Sequence, residues 1–278
     1  MSVVIPALNE AANIADVFGR LDPGVFEVIV VDGNSTDGTV AVAREAWPDV
    51  RVIRQTRKGK GNALACGFHA CRGDIIAMLD ADGSTDAAEL PRFVAALLAG
   101  NHFAKGTRFA DGGGSDDITR LRAVGNTALN HLVNSLYGTR YTDLCYGYNA
   151  FWAACLPLLG CSEPGYEIDP LAPPAQTARS SAVFWGDGFE IETLLTVRVS
   201  MLGLRVAEVG SHESCRLHGR SNLHAGRDGA RVLRTIATER RRLRLVLGAG
   251  PAVPRPWEAA GASGRLGNEH LAAAGAVR

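Results

Sequence analysis

The stretch E-V-I-V-V-D-G-N-S-T-D-G-T (27–39) is a β-branched apolar run that ends in Asp32 and then dissolves into glycine, asparagine and hydroxyl residues. The run is too short for a helix of its own and too uniformly apolar for a strand with one wet face, so it reads as a strand covered on both sides. Ser35 and Asp37 are helix-capping residues, placed to start the element that follows. Outward from it the unit repeats. A strand over 2–6 and a helix over 9–21 precede it; a helix over 37–47, a strand over 50–55, a helix over 62–70 and a strand over 74–80 follow. This rhythm predicts an α/β fold, a Rossmann-like, mostly parallel sheet flanked by helices, with the functional residues beyond the carboxyl ends of the strands.

A chain of 278 residues suits one such domain with appendages. With 46% hydrophobic and 21% charged residues it is not a disordered, collagen-like or coiled-coil chain. Lysine plus arginine equals aspartate plus glutamate at 29 each, so no nucleic-acid partner is expected. The six cysteines are scattered, with no C-x-x-C pair and no zinc spacing, which suits a reducing compartment. Met1 leads directly into Val3-Val4-Ile5 without a basic leader, and no apolar stretch approaches the ~18–20 residues of a membrane span. A cytoplasmic location is expected, with any membrane contact peripheral.

Further along, the glycine-rich run 111–117 reads as a mobile loop before an amphipathic helix over 119–137, a lid or an acceptor surface. The proline-rich segment 160–181 reads as an exposed insertion, helix resumes over 189–202, and 251–278 reads as a flexible tail. The basic-apolar stretch 240–247 is either a solvated helix face beside a core-facing one or a peripheral helix for an anionic membrane.

The sharpest chemical feature is Met78-Leu79-Asp80-Ala81-Asp82, an apolar strand ending in two carboxylates one residue apart. Such a pair can reach one hard divalent cation and leave positions open for a diphosphate; taken alone it is as readily a turn and a helix cap. Two other strand ends carry polar groups, Pro6-Ala7-Leu8-Asn9-Glu10 and the Asp32 segment. An acid at a strand end can accept hydrogen bonds from a base or ribose, and Asp32 is placed to do so. Lys58-Gly59-Lys60-Gly61-Asn62 opens the next helix, where glycines permit close approach, a helix amino terminus favours anions and Lys60 adds charge. It is neither a dinucleotide fingerprint nor a P-loop.

In order and spacing, V-I-P-A-L-N-E (4–10), V-V-D-G-N-S-T-D-G-T (30–39), G-K-G-N-A-L (59–64), D-I-I-A-M-L-D-A-D-G (74–83) and G-T-R-F (106–109) resemble family 2 glycosyltransferases of the GT-A fold. Within that family the chain is most similar to the dolichol- or polyprenyl-phosphate mannosyl- and glucosyltransferase branch. The resemblance covers residues 1–224, which divide into a nucleotide-sugar-binding half (1–110) and an acceptor half (111–224). A basic amphipathic helix (225–250) and the tail (251–278) follow.

The resemblance implies an inverting hexose transfer from a UDP- or GDP-linked sugar with Mg²⁺ or Mn²⁺ bound. By that correspondence Pro6, Ala7, Asn9 and Glu10 would line the nucleoside pocket, Asp32 would contact the base, and Lys60 would lie near it. Asp80 and Asp82 would serve the metal, with His218 a further candidate ligand. Ser84 stands where some relatives place a polar ligand and is a weaker donor. Arg108 belongs to the family's G-[ST]-R, Asp143 opens its acceptor segment D-x-x-x-G-[FY], and Glu192 matches a family glutamate, with Glu190 two residues earlier. Arg216 and Ser221 belong to R-x-x-G-x-S, a loop that closes over the diphosphate; Asn222 replaces the lysine usual in the branch.

The acceptor decides which acids matter. A sugar hydroxyl must lose a proton, for which Asp143, Glu190 or Glu192 is a candidate base, whereas a polyprenyl phosphate is already an anion and would look to Arg108 and Arg120. The expected partners are therefore the nucleoside-diphosphate sugar and a polyprenyl phosphate or small hydroxyl acceptor, with a homodimer an open option. A soluble glycosyltransferase for small molecules and an idle nucleotide-sugar binding module are the alternatives.

Overall fold

The computed structural model of the chain describes residues 1–159, 186–220 and 224–248. Four parallel strands form its first half: β1 (Ser2–Ala7), β2 (Glu27–Asp32), β3 (Arg51–Arg54) and β4 (Ile75–Met78). All six residues of β2 are buried, as its uniform apolarity predicts. The second half adds β5 (Phe103–Thr107), the short β6 (Gly114–Ser115), β7 (Asn149–Trp152), β8 (Val206–Gly210) and the short β9 (His212–Glu213). The main sheet runs β3-β2-β1-β4-β7-β5-β8, and only β7 is antiparallel to its neighbours. Strands β6 and β9 pair separately.

The helices are α1 (Ile14–Gly19), α2 (Thr39–Ala46), α3 (Lys60–Ala70), α4 (Leu90–Leu98), α5 (Arg120–Tyr137), α6 (Ile191–Met201) and α7 (Ala225–Gly248). The main core joins one face of β1, β2 and β4 to α1, α4 and the buried Tyr146 and Tyr148; a smaller cluster ties α5 to α6 and α7 through Val133, Val197, Val232 and Ile236. Residues Met1–Glu239 form one compact unit and Arg240–Arg278 a second, so the division falls inside α7. The insertion 160–181 and the tail 251–278 lie outside the described residues, as do the side chains of 242–247 in the basic stretch.

Helix α1 is shorter than the expected 9–21. Asn9 sits in the left-handed region (φ 57°), where its amide donates to Ser35 Oγ (3.0 Å) and its Oδ1 accepts the Thr36 amide (2.8 Å). Asp37 accepts the Ala11 amide (3.0 Å) with one oxygen and the Thr39 amide (3.0 Å) with the other. The loops after β1 and β2 are thereby laced together, and Ser35 serves its neighbour rather than its own helix. Strands β5 and β7 went unpredicted because both are short and place polar residues, Lys105 and Asn149, at fully buried positions, which erases the apolar period.

At the start of α3 the structure revises the reading of the glycines. The amides of Gly61 and Asn62 donate to the Asp187 carbonyl (2.9 and 3.2 Å), and a Cβ on Gly61 would run into the Gly186 carbonyl oxygen. What approaches these glycines is the chain's own backbone, and it occupies helix donors that an anion would need. Arg57 locks the arrangement with a buried bidentate pair to Asp187 (both contacts 2.8 Å). Gly61→Ala is therefore expected to destabilise by about 3 kcal/mol or more in urea unfolding. Gly125→Ala, in α5 with nothing within 4 Å of the added carbon, should be neutral or stabilising by roughly 0.5–1 kcal/mol.

Candidate active site

The carboxyl ends of β1, β3 and β4 open into a cleft of about 450 Å³. Its walls bring together Pro6, Ala7 and Glu10 after β1, Lys60 at the start of α3, Asp80 and Asp82 after β4, and Arg216, all expected from the sequence. Leu8, Gln55, Ala63, Phe189, His224, Arg227 and Arg231 line it as well and were not anticipated. The α7 residues were legible as a basic face at helical spacing; nothing local in the sequence told which way that face points.

The two aspartates are each held by a cation. Lys60 Nζ lies 2.7 Å from Asp80 Oδ1 and 2.8 Å from Glu192 Oε1. Burial alone would lower the Lys60 pKa, but the two carboxylates outweigh it and raise it, so Lys60 is a fixed positive charge. Burial likewise raises the Glu192 pKa, with Lys60 opposing. Gly147 closes this triad from the far side: a Cβ there would sit 2.9 Å from Lys60 Nζ and 3.1 Å from Glu192 Oε1. The glycine of D-x-x-x-G thus leaves room for an ion-pair network.

Asp82 is organised by the loop 213–217, which runs along 82–85. The Leu217 amide donates to the Asp82 carbonyl (3.1 Å) and the Ser214 amide to the Ser84 carbonyl (2.8 Å), while the left-handed Gly83 leaves space for the Leu217 side chain. So docked, Arg216 places Nη1 3.1 Å from Asp82 Oδ2, Nη2 on Glu10 and Nε 2.6 Å from the His218 carbonyl. Asp82 Oδ1 accepts both the amide (3.0 Å) and the hydroxyl (2.7 Å) of Ser84. The His218 side chain is exposed, and this residue serves the cleft through its backbone.

The donor set fits a hard divalent cation. Two carboxylates from one turn reach the cleft, and hard oxygen donors of this kind would hold Mg²⁺ or Mn²⁺. Among the described residues no three His, Cys, Asp or Glu side chains gather as a metal-binding group, so Asp80, Asp82 and His218 are not brought together as three ligands.

Other expected residues lie elsewhere. Asp32 is buried beside the cleft with Oδ1 accepting the Ser35 amide (3.0 Å), and Asn9 shapes the adjoining loop. Asp143, fully buried, forms a bidentate pair with Arg108 (2.7 and 2.9 Å), whose third nitrogen meets Glu213 at 2.9 Å. Two candidates for opposite roles, a base and an anion contact, therefore bind one another. Glu190, at the start of α6, accepts the Gly188 amide with Oε1 (3.3 Å), while its buried Oε2 has no partner. Arg120 is exposed at the start of α5; Ser221 lies outside the described residues.

Residues 2–153 match the family described as Glycosyl transferase family 2. Glycosyltransferase AglJ of Haloferax volcanii is 31% identical over 231 residues, 82% of this chain and 67% of that one. Undecaprenyl-phosphate mannosyltransferase of Micrococcus luteus is 30% identical over 239 residues, 83% of this chain and 90% of that one. For several other curated relatives the match spans from 34% to 60% of their length. Among solved structures, glucosyl-3-phosphoglycerate synthase from Mycobacterium tuberculosis in complex with Mn²⁺, UDP-glucose and phosphoglyceric acid superposes with a TM-score of 0.63 at 25% identity, covering 86% of this chain and 79% of that one. Among the described residues no helix is long and apolar enough to cross a membrane.

Proposed function

This chain belongs to glycosyltransferase family 2 and has the GT-A fold, and from that premise we propose that it transfers a hexose from a UDP- or GDP-linked sugar to a polyprenyl phosphate with inversion at the anomeric carbon. The observation that carries the reading is the cleft itself. Two carboxylates, each already matched to a cation, stand at the end of a parallel strand, where a nucleoside diphosphate binds in open α/β sheets. The names of relatives support the acceptor class, and the M. tuberculosis complex supports a nucleotide-sugar donor with a divalent metal.

A bound Mg²⁺ or Mn²⁺ would stabilise the charge that builds on the departing diphosphate. Asp80 and Asp82 would hold it, and Arg216, which shares Asp82, offers its planar fork to the phosphates. Lys60 keeps Asp80 in place. Pro6, Ala7 and Leu8 present a mostly apolar wall for the nucleoside. With a phosphate acceptor no base is required.

The second reading, a hydroxyl acceptor, has one observation in its favour. Of the three candidate bases, Asp143 is engaged by Arg108 and Glu192 by Lys60, whereas Glu190 retains a buried oxygen without a hydrogen-bond partner. Thermal stability against UDP-, GDP- and dTDP-sugars with and without Mn²⁺ tests the donor. One base should raise the melting temperature by roughly 5–10 °C at a hundredfold excess over Kd, and only with metal. A flat response to every donor would sink the proposal.

A further inference from the structure

We propose that Arg227 and Arg231 form an anion subsite on the α7 wall of the cleft that takes the phosphate monoester of the acceptor. The proposal rests on reading the cleft as a glycosyl-donor site and adds to it the place and chemistry of the second substrate.

Arg227 and Arg231 are four apart, so one face of α7 carries both to the cleft, with His224 just before the helix beside them. The adjoining flank of the helix buries Val232, Thr235 and Ile236. Between the arginines sits Asp228, itself buried. Its Oδ2 accepts the His224 amide (2.8 Å), and its Oδ1 lies 3.6 Å from Arg227 Nε and 3.6 Å from Arg231 Nη1. Those separations orient both guanidiniums without a hydrogen bond to either, and Asp228 Oδ1 has no hydrogen-bond partner. The side chains of Arg227 and Arg231 are 60% and 41% exposed.

The other cations of the cleft are differently placed. Lys60 is paired with Asp80 and Glu192, and Arg216 with Glu10, Asp82 and the His218 carbonyl. Of Lys60, Arg216, Arg227 and Arg231, only the two α7 arginines have side chains without a hydrogen-bond partner, so all of their N–H donors are unused. Glu190 stands behind them. Its unpartnered Oε2 and Arg231 Nη1 converge on Gly188, where an added Cβ would clash with the first and sit 3.0 Å from the second. Two partly exposed guanidiniums on one wall of the cleft set a fork for a small, doubly charged group, which arginine matches better than any other side chain. A sugar hydroxyl offers no charge for such a fork.

The transfer then balances without a proton. An acceptor phosphate oxygen forms the bond to the anomeric carbon, the bond to the nucleoside diphosphate breaks, and its electron pair leaves with that diphosphate. A polyprenyl phosphate and a phosphorylated small molecule share this chemistry.

Isothermal titration of the full chain with three probes tests the assignment: the Mn²⁺ complex of UDP or GDP, farnesyl phosphate in detergent, and 3-phosphoglycerate. In the Arg227→Gln/Arg231→Gln double variant, the affinity for at least one monoester should fall about tenfold or more while nucleotide affinity holds within about twofold. The responding monoester identifies the source as lipid or soluble. Arg231→Lys should recover part of the loss. Unchanged monoester affinity, a wild-type chain that binds neither monoester, or a loss confined to the nucleotide would each overturn the subsite. Arginine-dependent monoester binding without nucleotide binding would uphold it and reject the donor reading instead. Both substituted side chains are exposed, and an unchanged melting temperature confirms the fold.

Discussion

Asp82→Asn should lower turnover by about 10²–10³-fold while leaving the protein folded. Asparagine keeps the shape of Asp82 and the oxygen that accepts from Ser84, so the turn after β4 survives. It removes the charge that would hold a divalent cation and that anchors one arm of Arg216. Glu10 still holds the other arm. The Asp82 pair is partly exposed, so its loss should change stability by only about 0–1 kcal/mol. The measurement is a kcat with saturating donor beside a thermal melt. Activity within tenfold of the wild type would mean that Asp82 only builds the turn, and the metal assignment would fall with it.

Arg108→Met makes the opposite separation, a large stability loss with little change in donor binding. Arg108 joins three structural pieces: β5, which it follows, the segment opened by Asp143, and Glu213 on β9. It also lies over the Tyr146 ring, 5.0 Å from the centroid. Removing the guanidinium strands a fully buried carboxylate, for which about 3–5 kcal/mol is the usual penalty, or a melting temperature lower by roughly 6–20 °C. Adding Asp143→Asn to Arg108→Met should return part of that loss, because the stranded charge is then gone. Calorimetry with nucleotide reads the donor site separately. A variant that melts like the wild type yet loses acceptor affinity would show that Arg108 meets the acceptor phosphate, as its family motif had suggested.

The contrast between these arginines shows where sequence reasoning stops. Arg108 and Arg216 both sit in short motifs of the kind that bind phosphate, and no local feature distinguishes them. Arg216 reaches the cleft because Leu217 docks over the left-handed Gly83; Arg108 turns into the protein because Asp143, 35 residues later, is buried against it. The acids behave alike. Glu190 and Glu192 are neighbours on the chain, but one is consumed by Lys60 and the other is left with a bare oxygen. Lys60 and Glu192 are 132 residues apart, and Arg216 and Glu10 are 206 apart, so neither partnership could be read from spacing.

What the amino-acid sequence determined by itself was the periodic and the local: buried β-branched strands alternating with helices, carboxylates at strand ends, and hence a mostly parallel sheet with a polar rim at one edge. These follow from backbone sterics and hydrophobic periodicity, which act over a few residues. Only the tertiary structure decided which charges neutralise one another, which glycines yield to the chain's own backbone, and that α7 turns its basic face into the cleft. Those outcomes depend on packing and on Coulomb interactions within a few ångströms in space between groups far apart in sequence.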